Sequence, residues 1–585
     1  MIDVSSLTCS LQTYKRWHAD EKRWVIQQLC AMFGISDHEI DNCLIIRKSL
    51  DARHKGALTM LYHVRIALKQ GAAYEQQLID TYNKNQTDAK GTAHGTRGNK
   101  KGARKGLHHE KVSYARVTYC EAKPSPQFPA SCGLALTSPI VVVGAGCAGL
   151  FAALYLAHAG LKPLLIERGE SASARMHSIQ EFIDHKTLNT NSNIQFGIGG
   201  AGTFSDGKLG TGTKSPLHKL ILETFVRMGA PEHILWDAKP HIGSDILPRI
   251  VTNMVKEIEE FGGEVRFSTL LTRLELKNKQ VTGIWLSSTA HDTLRSEEHI
   301  ATHHVILATG HSARDTYIML RHMGIYMEKK TFAMGVRIEH LQTAINAAQY
   351  GSNPATKILG AADYKIACHL GSGRSAFSFC MCPGGYVVAA TSEKHAVVTN
   401  GMSLSTRAGT NANAGFLANV FPEDLDSTDV LAGLKLQEKC EQKAYTIAGE
   451  TYQAPAQLVG DFLQHRTSTG ARSVTPTYPL GVTWTDITLC LPNYITQTLR
   501  EALPELDKKL HGFNCEDAVL TGVETRSSSP LRLTRSETLE SLSTQGLMPC
   551  GEGAGYAGGI MSAATDGLRV AQALIQLLTS ATYGN

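Results

Sequence analysis

The stretch PIVVVGAGCAGLFAALYLAHAGLKPLLIER, residues 139–168, decides the fold of this chain. Its first segment, residues 140–143, is apolar and β-branched, which is typical of a strand buried on both faces. Three glycines follow at the spacing G-x-G-x-x-G: Gly144, Gly146 and Gly149. The first allows a tight turn, the second lets backbone approach a pyrophosphate, and the third lets the next helix pack on its strand. The stretch therefore predicts a dinucleotide-binding unit.

The rest of this stretch supplies a helix and a second strand. Residues 148–159 are rich in Ala and Leu, and the N-terminus of such a helix would direct N–H groups at phosphates. Residues 162–166 predict the strand, and Glu167 follows it, where a carboxylate can accept both hydroxyls of a ribose. One alternative is a membrane span, because residues 139–157 carry no charge. The glycine cluster and the acid after the strand favour the dinucleotide unit.

Length and composition indicate a multidomain globular protein. The chain has 585 residues, too many for one compact domain. The charged residues Lys15, Arg16, Asp20, Glu21, Lys22 and Arg23 within the first thirty positions argue against a signal peptide. The thirteen cysteines are scattered without a disulfide-framework spacing, so we expect reduced thiols and a cytoplasmic location.

Basic charge is concentrated in one segment, residues 91–109, which contains no acid and five basic residues: Arg97, Lys100, Lys101, Arg104 and Lys105. Subtracting these five from the net charge of +5 leaves the remainder near neutral. We expect a flexible Gly-rich linker rather than an RNA-contacting arm, because charge runs without interleaved aromatic residues are usually solvated. Nucleic acid is therefore not an expected partner, and neither is a membrane.

A second glycine-dense run, residues 193–209, lies beyond the dinucleotide motif and includes Gly200 and Gly202. So many glycines beside polar residues suit a backbone that approaches a flat ligand or a phosphate. The alternative is a mobile surface loop. Successive strands are predicted at residues 263–267, 270–276 and 281–286, before a buried strand that ends at Thr309 and Gly310. This all-strand excursion resembles the FAD domain of glutathione-reductase-like flavoproteins, in which the last strand returns to the cofactor sheet.

The chain between residues 331 and 520 contains no second G-x-G-x-x-G after a strand, so we expect no dedicated NAD(P)-binding domain. Short strands, glycine turns and a helix near residues 431–448 predict an inserted α+β domain. Small residues return at 551–567, and residues 557–578 predict a helix packed on the cofactor sheet. The N-terminus of that helix could stabilise negative charge on a reduced flavin ring.

Eight further stretches carry a resemblance to the family of uncharacterised FAD-dependent dehydrogenases. They are GIGGAGTFSDGKL (197–209), KPHIGSD (239–245), LATGHSARDTY (307–317), GVRIEH (335–340), SFCMCPGGYVV (378–388), TNGMS (399–403), GVETRSSSPLRLTR (522–535) and GEGAGYAGGI (551–560). RKSLDAR near the N-terminus also fits. Leu341, Ala414 and Met548 depart from the family pattern but touch no glycine motif. The resemblance implies an FAD-bound cytoplasmic protein and supplies no established substrate.

The expected fold is therefore α/β, a Rossmann-like FAD-binding domain with an inserted α+β domain and a small N-terminal α/β module. The predicted divisions are 1–85 for the module, 86–137 for the linker, 138–330 and 521–585 for the FAD-binding domain, and 331–520 for the insert. Predicted FAD-binding residues are Gly144, Gly146, Gly149, Glu167, Arg168, Arg175, Gly200, Gly202, Thr309, Gly310, Gly551, Glu552 and Gly559, with Gly551 and Glu552 assigned by the resemblance.

The expected activity is that of an FAD-dependent oxidoreductase passing a hydride between a small molecule and flavin N5. Alternatives are an FAD-dependent RNA-modifying or RNA-associated flavoprotein and a flavin-bound scaffold without turnover. Candidate substrate residues are polar groups inside apolar or glycine-rich motifs: His311, Arg314, Arg337, Arg374, Glu524 and Arg526. The arginines would suit a carboxylate-bearing substrate, and structural ion pairs are the competing interpretation.

Cys380 and Cys382 form a C-x-C pair. We expect that they are not the catalytic redox couple, because a C-x-C disulfide closes a very small ring and no Lys, Arg or His lies within residues 379–385 to favour a thiolate. A basic partner distant in sequence remains open. No metal site is expected, because His108–His109 and His303–His304 lack cysteines at ligand spacing.

Overall fold

The computed structural model describes residues 1–53, 58–94, 115–121, 125–290, 297–351, 354–425 and 427–583. The basic residues at 97–105 lie outside these ranges. The two interpretations of that segment, a flexible linker and an RNA-contacting arm, therefore concern residues that the structure does not describe. The chain divides into two compact units. The first comprises Met1–Ser125, Glu232–Pro240 and Tyr350–Gly360, and the second comprises Pro126–Pro231, His241–Gln349 and Ala361–Asn585.

The first unit is a four-stranded antiparallel sheet with order β2-β3-β1-β4, packed with helices. Alternating burial along β3 places Tyr62, Val64 and Ile66 in its core. β4 lies in the range predicted as linker, because four residues with one buried side chain carry too weak a pattern to predict a strand. The elements are β1 (Ile2–Ser10), α1 (Leu11–Trp17), α2 (Glu21–Phe33), β2 (Ile40–Asp51), β3 (Thr59–Leu68), α3 (Ala72–His94) and β4 (Arg116–Tyr119).

Lys48, in the RKSLDAR motif, is a structural residue of this unit. Its Nζ lies 2.9 Å from Glu21 Oε1 and 3.2 Å from Asp237 Oδ1. Burial acts to lower the pKa of Lys48, but the two carboxylates outweigh it and raise that pKa. The motif is therefore held by ion pairs inside the unit.

The second unit is built on a five-stranded parallel sheet with order β23-β11-β5-β6-β7, with β5 at its centre. The first part of this unit supplies β5 (Ile140–Val143), α4 (Cys147–His158), β6 (Leu164–Ile166), α5 (Ala172–His185), α6 (Leu217–Arg227), α7 (Leu247–Glu260), β7 (Glu264–Arg266), β8 (Thr269–Lys277), β9 (Gln280–Ser288), β10 (Glu297–Ala301), β11 (His304–Leu307) and α8 (Arg314–His322). The last part supplies β22 (Leu531–Arg532), β23 (Leu547–Pro549) and α13 (Ile560–Tyr583). This confirms the predicted Rossmann-like architecture.

The strands predicted ahead of β11 form a separate three-stranded antiparallel sheet with order β10-β9-β8. The chain then returns to the parallel sheet, where β11 pairs with β5. Strands β5 and β11 are buried along almost their whole length, as their apolar composition requires. The return of β11 brings the carboxyl ends of β5 and β11 to one edge of the sheet, where ligands bind in open α/β folds.

The inserted segment forms a seven-stranded sheet with order β14-β15-β18-β13-β21-β19-β20, in which only the β19–β20 pairing is parallel. Its elements are β12 (Glu328–Lys329), β13 (Phe332–Leu341), α9 (Gln342–Tyr350), β14 (Ala367–His369), β15 (Ser375–Cys382), β16 (Tyr386–Ala389), β17 (Thr399–Met402), β18 (Asn411–Val420), α10 (Ala432–Ile447), β19 (Ala454–Leu458), α11 (Val459–Leu463), β20 (Val482–Trp484), α12 (Asn493–Asp507) and β21 (Val519–Glu524).

Small residues bring the C-terminal helix against the dinucleotide unit. A Cβ added to Gly567 of α13 would lie 2.1 Å from the Ala148 carbonyl oxygen of α4. α4 is buried from Ala148 to Ala157, so the apolar stretch that could span a bilayer is the core helix of this unit. Among the described residues, no helix combines the length and the apolar character needed to cross a membrane.

Candidate functional site

The glycine turn after β5 has the three properties that its spacing predicts. Gly144 takes φ +101°, and its N–H donates to the Ile166 carbonyl at 2.8 Å. A Cβ at Gly149 would lie 1.8 Å from the Gly144 carbonyl oxygen, so only glycine permits this helix–strand approach. A Cβ at Gly146 would meet only the Cα of Gly200, at 4.0 Å. The turn therefore has an open side at Gly146, where α4 begins without a side-chain cap.

The second glycine-dense run lies against this turn. The Gly199 N–H donates to the Ala145 carbonyl at 2.7 Å. Gly200 takes φ +61°, and a Cβ added to it would lie close to the Gly146 Cα. Gly202 lies near Cys147 at the start of α4. Two glycine segments thus face each other at the N-terminus of a helix, which is an arrangement that can accept a phosphate.

Glu167, at the end of β6, holds the two glycine segments together. One carboxylate oxygen accepts from the Ala145 N–H at 2.8 Å, and the other accepts from the N–H groups of Gly169 and Gly197, both at 2.9 Å. A carboxylate can accept about four hydrogen bonds, so acceptor capacity remains for a ribose hydroxyl.

Arg168 and Arg175 are both engaged by protein groups. Arg168 pairs with Asp315, at 2.7 and 2.8 Å, and stacks over Phe196. Arg175 is fully buried and donates to four carbonyl oxygens, those of Asn193, Ile194, Ile198 and Gly200. Burial lowers the pKa of Arg175 to about 9, against the opposing effect of Glu167. Its contacts fix the shape of the second glycine run.

The turns that follow β11 and β23 pack on each other and carry the other predicted cofactor residues. Gly310, after Thr309, takes φ +74°, and a Cβ at Gly553 would lie 2.5 Å from its carbonyl oxygen. The Gly551 N–H donates to Asp566 at 2.8 Å. A Cβ added to Gly559, just before α13, would meet nothing within 4 Å. Backbone therefore borders open space at the carboxyl edge of the sheet.

Glu552 and His311 come together between these turns. His311 Nε2 lies 3.8 Å from Glu552 Oε1, and within the described part of the chain the Glu552 carboxylate accepts no hydrogen bond. Burial raises the pKa of Glu552 to about 7, with Lys330 opposing the rise. Burial, assisted by nearby arginines, lowers the pKa of His311 to about 4. Both groups are thus shifted toward their uncharged forms.

Arg314 and Arg526 border this pair but are compensated by carboxylates. Glu441, fully buried on α10, accepts from Arg314 at 2.8 and 2.9 Å and from Arg526 at 2.7 and 3.1 Å. Glu393 accepts from Arg314 at 2.6 Å. Burial acts to raise the pKa of Glu441, but the two arginines outweigh it and bring that pKa to about 2. We name these four residues the arginine–glutamate cluster.

The remaining predicted substrate arginines have partners of their own. Arg337, on β13, pairs with Glu524 on β21 at 3.0 Å, and both side chains are buried. Burial raises the pKa of Glu524 to about 7 despite this arginine. Arg374 forms an ion pair with Asp424 and stacks over Tyr494. Its other contacts within the described ranges are the Asn419 carbonyl and the Phe421 ring, so none of its partners there belongs to the arginine–glutamate cluster.

The residues present fit an FAD. The glycine segments leave open backbone at the N-terminus of α4 for the pyrophosphate, and Glu167 retains acceptor capacity for a ribose. The half-buried Glu552 carboxylate lies 3.8 Å from His311 and, within the described ranges, accepts no hydrogen bond, so it can accept from ligand hydroxyl groups. Gly144, Glu167 and Gly551 come after β5, β6 and β23, at the carboxyl edge of the parallel sheet, where ligands bind in folds of this kind.

Several residues of the site carried no signal that sequence reasoning could use. Glu393 and Glu441 lie in ordinary polar surroundings of the sequence, 79 and 127 residues from Arg314, and become visible only as its partners. Lys330 affects both Glu552 and His311 from the edge of the insert. Lys208 lies in the family stretch 197–209, where its spacing indicates no particular role.

Comparisons with known proteins agree with this geometry. Residues 138–348 match the family model of pyridine nucleotide-disulphide oxidoreductases, and residues 331–527 match that of the C-terminal domain-like region of FAD-dependent proteins. An uncharacterised protein of Clostridium beijerinckii is 38% identical over 558 residues, covering 95% of this chain and 96% of that protein.

Solved structures with a similar arrangement are more distant. THI4 of Thermovibrio ammonificans is 20% identical, with a TM-score of 0.22, and the match covers 33% of this chain and 63% of that chain. A flavoprotein/dehydrogenase of Cytophaga hutchinsonii is 11% identical, with a TM-score of 0.30, and the match covers 76% of this chain and 79% of that chain. On the family models and the full-length relative, the chain belongs to the family of FAD-dependent oxidoreductases that includes the uncharacterised Clostridium beijerinckii protein.

Proposed function

We propose that this FAD-dependent oxidoreductase passes a hydride between a small-molecule substrate and N5 of the flavin. The observation that carries the proposal is the pairing of Glu552 with His311, 3.8 Å apart at the carboxyl edge of the parallel sheet. The FAD supplies the hydride-accepting chemistry when bound. The protein must supply a group that holds or releases the accompanying proton.

Glu552 has the properties that such a proton-transfer group needs. Its pKa is raised to about 7, so it exchanges protons near neutral pH, where general acids and bases are most effective. His311 is neutral at that pH because its pKa is lowered to about 4, so its ring can orient a substrate hydroxyl or amine by hydrogen bonding.

The charges around this pair favour a substrate whose reacting part is uncharged. In the arginine–glutamate cluster, two arginines face two glutamates, and Arg337 faces Glu524. Each guanidinium is therefore already compensated, and a substrate carboxylate would have to compete with a buried protein carboxylate. Alcohols, and amines in their unprotonated form, fit the surroundings of Glu552 and His311 better than the carboxylate-bearing substrate expected from the arginines alone.

The test is anaerobic mixing of the FAD-loaded protein with a panel of alcohols, amines, hydroxy acids, NADH and NADPH, following the loss of oxidised-flavin absorbance. We expect one neutral class to bleach the flavin, more slowly when the transferred hydrogen is deuterium. His311→Gln should slow bleaching with unchanged FAD content, and His322→Gln, exposed on α8, is the matched control. A flavin that dithionite reduces but no donor class does would contradict the proposal and favour a scaffold without turnover.

A further inference from the structure

The strand that carries the C-x-C pair is interrupted at Cys380 by a β-bulge. In the pairing of β15 with β18, Phe379 lies opposite Gly415 and Cys382 opposite Asn413, so β15 has one extra residue between them. Cys380 takes φ +40°, a conformation that non-glycine residues rarely adopt. Bulges re-aim side chains and are enriched beside active sites. Cys380 is partly exposed, whereas Cys382 is buried.

A buried cation, Arg337, contacts the backbone of Cys380 and the sulfur of Cys382, whose thiol donates to the same Cys380 carbonyl at 3.2 Å. Arg337 Nη2 donates to the Cys380 carbonyl at 2.9 Å and lies 3.6 Å from Cys382 Sγ. The sequence expectation that residues 379–385 contain no basic residue holds, but the basic residue comes from β13, 43 positions away. Its carboxylate partner, Glu524, has a pKa raised to about 7, so proton uptake by Glu524 leaves more of the arginine charge for the cysteines.

Lys208 provides a second cation. Its Nζ is buried and, within the described ranges, has no hydrogen-bond partner; Asp206 Oδ2 lies 3.6 Å away. Asp206 is itself engaged by Arg407, whose Nε donates to it at 3.0 Å. The ammonium group of Lys208 is thus incompletely compensated, and its charge acts on both cysteines.

These surroundings separate Cys380 from the other cysteines. Contact with the Cys382 thiol lowers the pKa of Cys380 to about 6, with Arg337 and Lys208 assisting and burial and Asp206 opposing. Burial instead raises the pKa of Cys382. Burial also raises the pKa of the other cysteines on which it acts strongly, which are Cys43, Cys147, Cys440, Cys490 and Cys550.

We propose that Cys380 is a thiolate that reacts with hydroperoxides, and that Cys382 is the thiol that resolves the oxidised product as a disulfide. A partly exposed thiolate beside a second thiol is the arrangement that this reaction needs. The proposed reaction passes no electrons to or from the flavin, so the expectation that the pair is not the catalytic redox couple is retained. The small C-x-C ring, which argued against a stable disulfide, makes this disulfide easy to reduce again.

The reaction balances in two steps. The Cys380 sulfur attacks one peroxide oxygen, an S–O bond forms, the O–O bond breaks, and the leaving oxygen takes a proton from solvent. The sulfur is oxidised by two electrons, and the peroxide is reduced to water or an alcohol. The Cys382 sulfur then attacks the sulfenic acid, an S–S bond forms, and the S–O bond breaks with release of water.

The first experiment treats full-length FAD-loaded protein, with the flavin kept oxidised, with one equivalent of hydrogen peroxide and then dimedone. Peptide mass spectrometry should find a Cys380–Cys382 disulfide in the parent, a dimedone adduct on Cys380 in Cys382→Ser, and neither in Cys380→Ser. Cys368→Ser, which removes a buried thiol on β14, is the matched control and should match the parent. Oxidation of the exposed Cys515 ahead of Cys380 would overturn the proposal.

The second experiment uses the parent protein alone and needs no variant to fold. Iodoacetamide labelling of Cys380 should accelerate about tenfold from pH 5 to pH 7 and then level off, as for a group half-ionised near pH 6. An ordinary cysteine continues to gain reactivity beyond pH 8. A Cys380 profile that keeps rising beyond pH 8 would show that no preformed thiolate exists.

Discussion

Glu552 and His311 lie 3.8 Å apart, and burial favours the uncharged form of each. Burial favours uncharged forms throughout this region, so only groups with strong partners, such as Glu441, stay ionised. This contrast divides the polar residues into two kinds. The strongly ion-paired residues hold the insert in place, whereas Glu552 and His311 are shifted toward their uncharged forms.

Replacing Glu552 with glutamine should remove proton transfer while keeping the side-chain shape. If Glu552 accepts the substrate proton, flavin reduction by the donor rises with pH, because the carboxylate form is needed, and levels off above the pKa of about 7. Glu552→Gln should reduce the rate about 100-fold and flatten this rise. Rapid-mixing absorbance from pH 5 to pH 9 measures both effects. Glu537→Gln, at an exposed position of the same segment, is the control, and a retained rise through pH 7 in Glu552→Gln would reject this role.

Replacing Glu441 with glutamine should leave two buried guanidinium groups without their shared carboxylate. Breaking such a pair costs about 3 to 5 kcal/mol of unfolding free energy. The pKa of Glu441 is lowered to about 2, so its contribution is complete above its unfolded pKa of about 4.3 and is lost as pH falls toward 2. Denaturant unfolding should therefore show a large difference in unfolding free energy between Glu441→Gln and the parent at pH 7, and a smaller difference at pH 3. Glu438→Gln, exposed on the same helix, should change neither value, and an equal loss at both pH values would exclude the ionic origin.

At the scale of elements, the path from β5 through the glycine turn to α4 was predictable because its signals are local. The apolar run, the glycine spacing and the Ala-rich helix all lie within 30 residues. The start of α13 was predicted three residues early, because the small residues before Ile560 are compatible with either helix or turn. The arginine–glutamate cluster and the contact of Arg337 with the cysteines were not predictable, because they join elements far apart in sequence.

Alanine at Gly149 should destabilise the protein, because its Cβ would lie 1.8 Å from the Gly144 carbonyl oxygen. The nearest neighbouring atoms belong to the backbone of Gly144, so no rotamer change can relieve the contact, and we expect a loss of about 3 kcal/mol or more. Gly210→Ala is the matched control, since a Cβ there meets nothing within 4 Å, and it should change stability by less than about 0.5 kcal/mol. Thermal unfolding followed by circular dichroism compares the two, and equal stability would disprove the predicted close packing.

At the scale of the whole molecule, the family and the cofactor follow from long matching stretches, whereas the substrate does not. The second unit combines a parallel sheet with an inserted sheet that is antiparallel except at β19–β20. That insert supplies Glu393, Glu441 and Glu524, which neutralise the arginines from which a substrate carboxylate was expected. These ion pairs join residues that are far apart in the sequence, and they determine the charge around Glu552 and His311. The spacing of residues in the sequence does not reveal them.

The same architecture predicts where a nicotinamide donor would dock. The insert is mainly antiparallel, and residues 331–520 contain no second glycine fingerprint. NADH or NADPH, if it reduces the flavin, should therefore bind over the flavin itself and compete with the substrate. Inhibition kinetics and a crystal complex test this expectation. A dinucleotide seated on its own Rossmann half would contradict it, whereas fast reduction alone would not.

We infer that the FAD pyrophosphate lies against the open backbone at Gly146, facing Gly200. The most direct measurement is the FAD content of purified Gly146→Leu, with its fold checked by circular dichroism, beside the parent. We predict about one FAD per chain in the parent and almost none in the folded variant, because the leucine side chain would occupy the place of the pyrophosphate. Full FAD retention in folded Gly146→Leu would contradict the account.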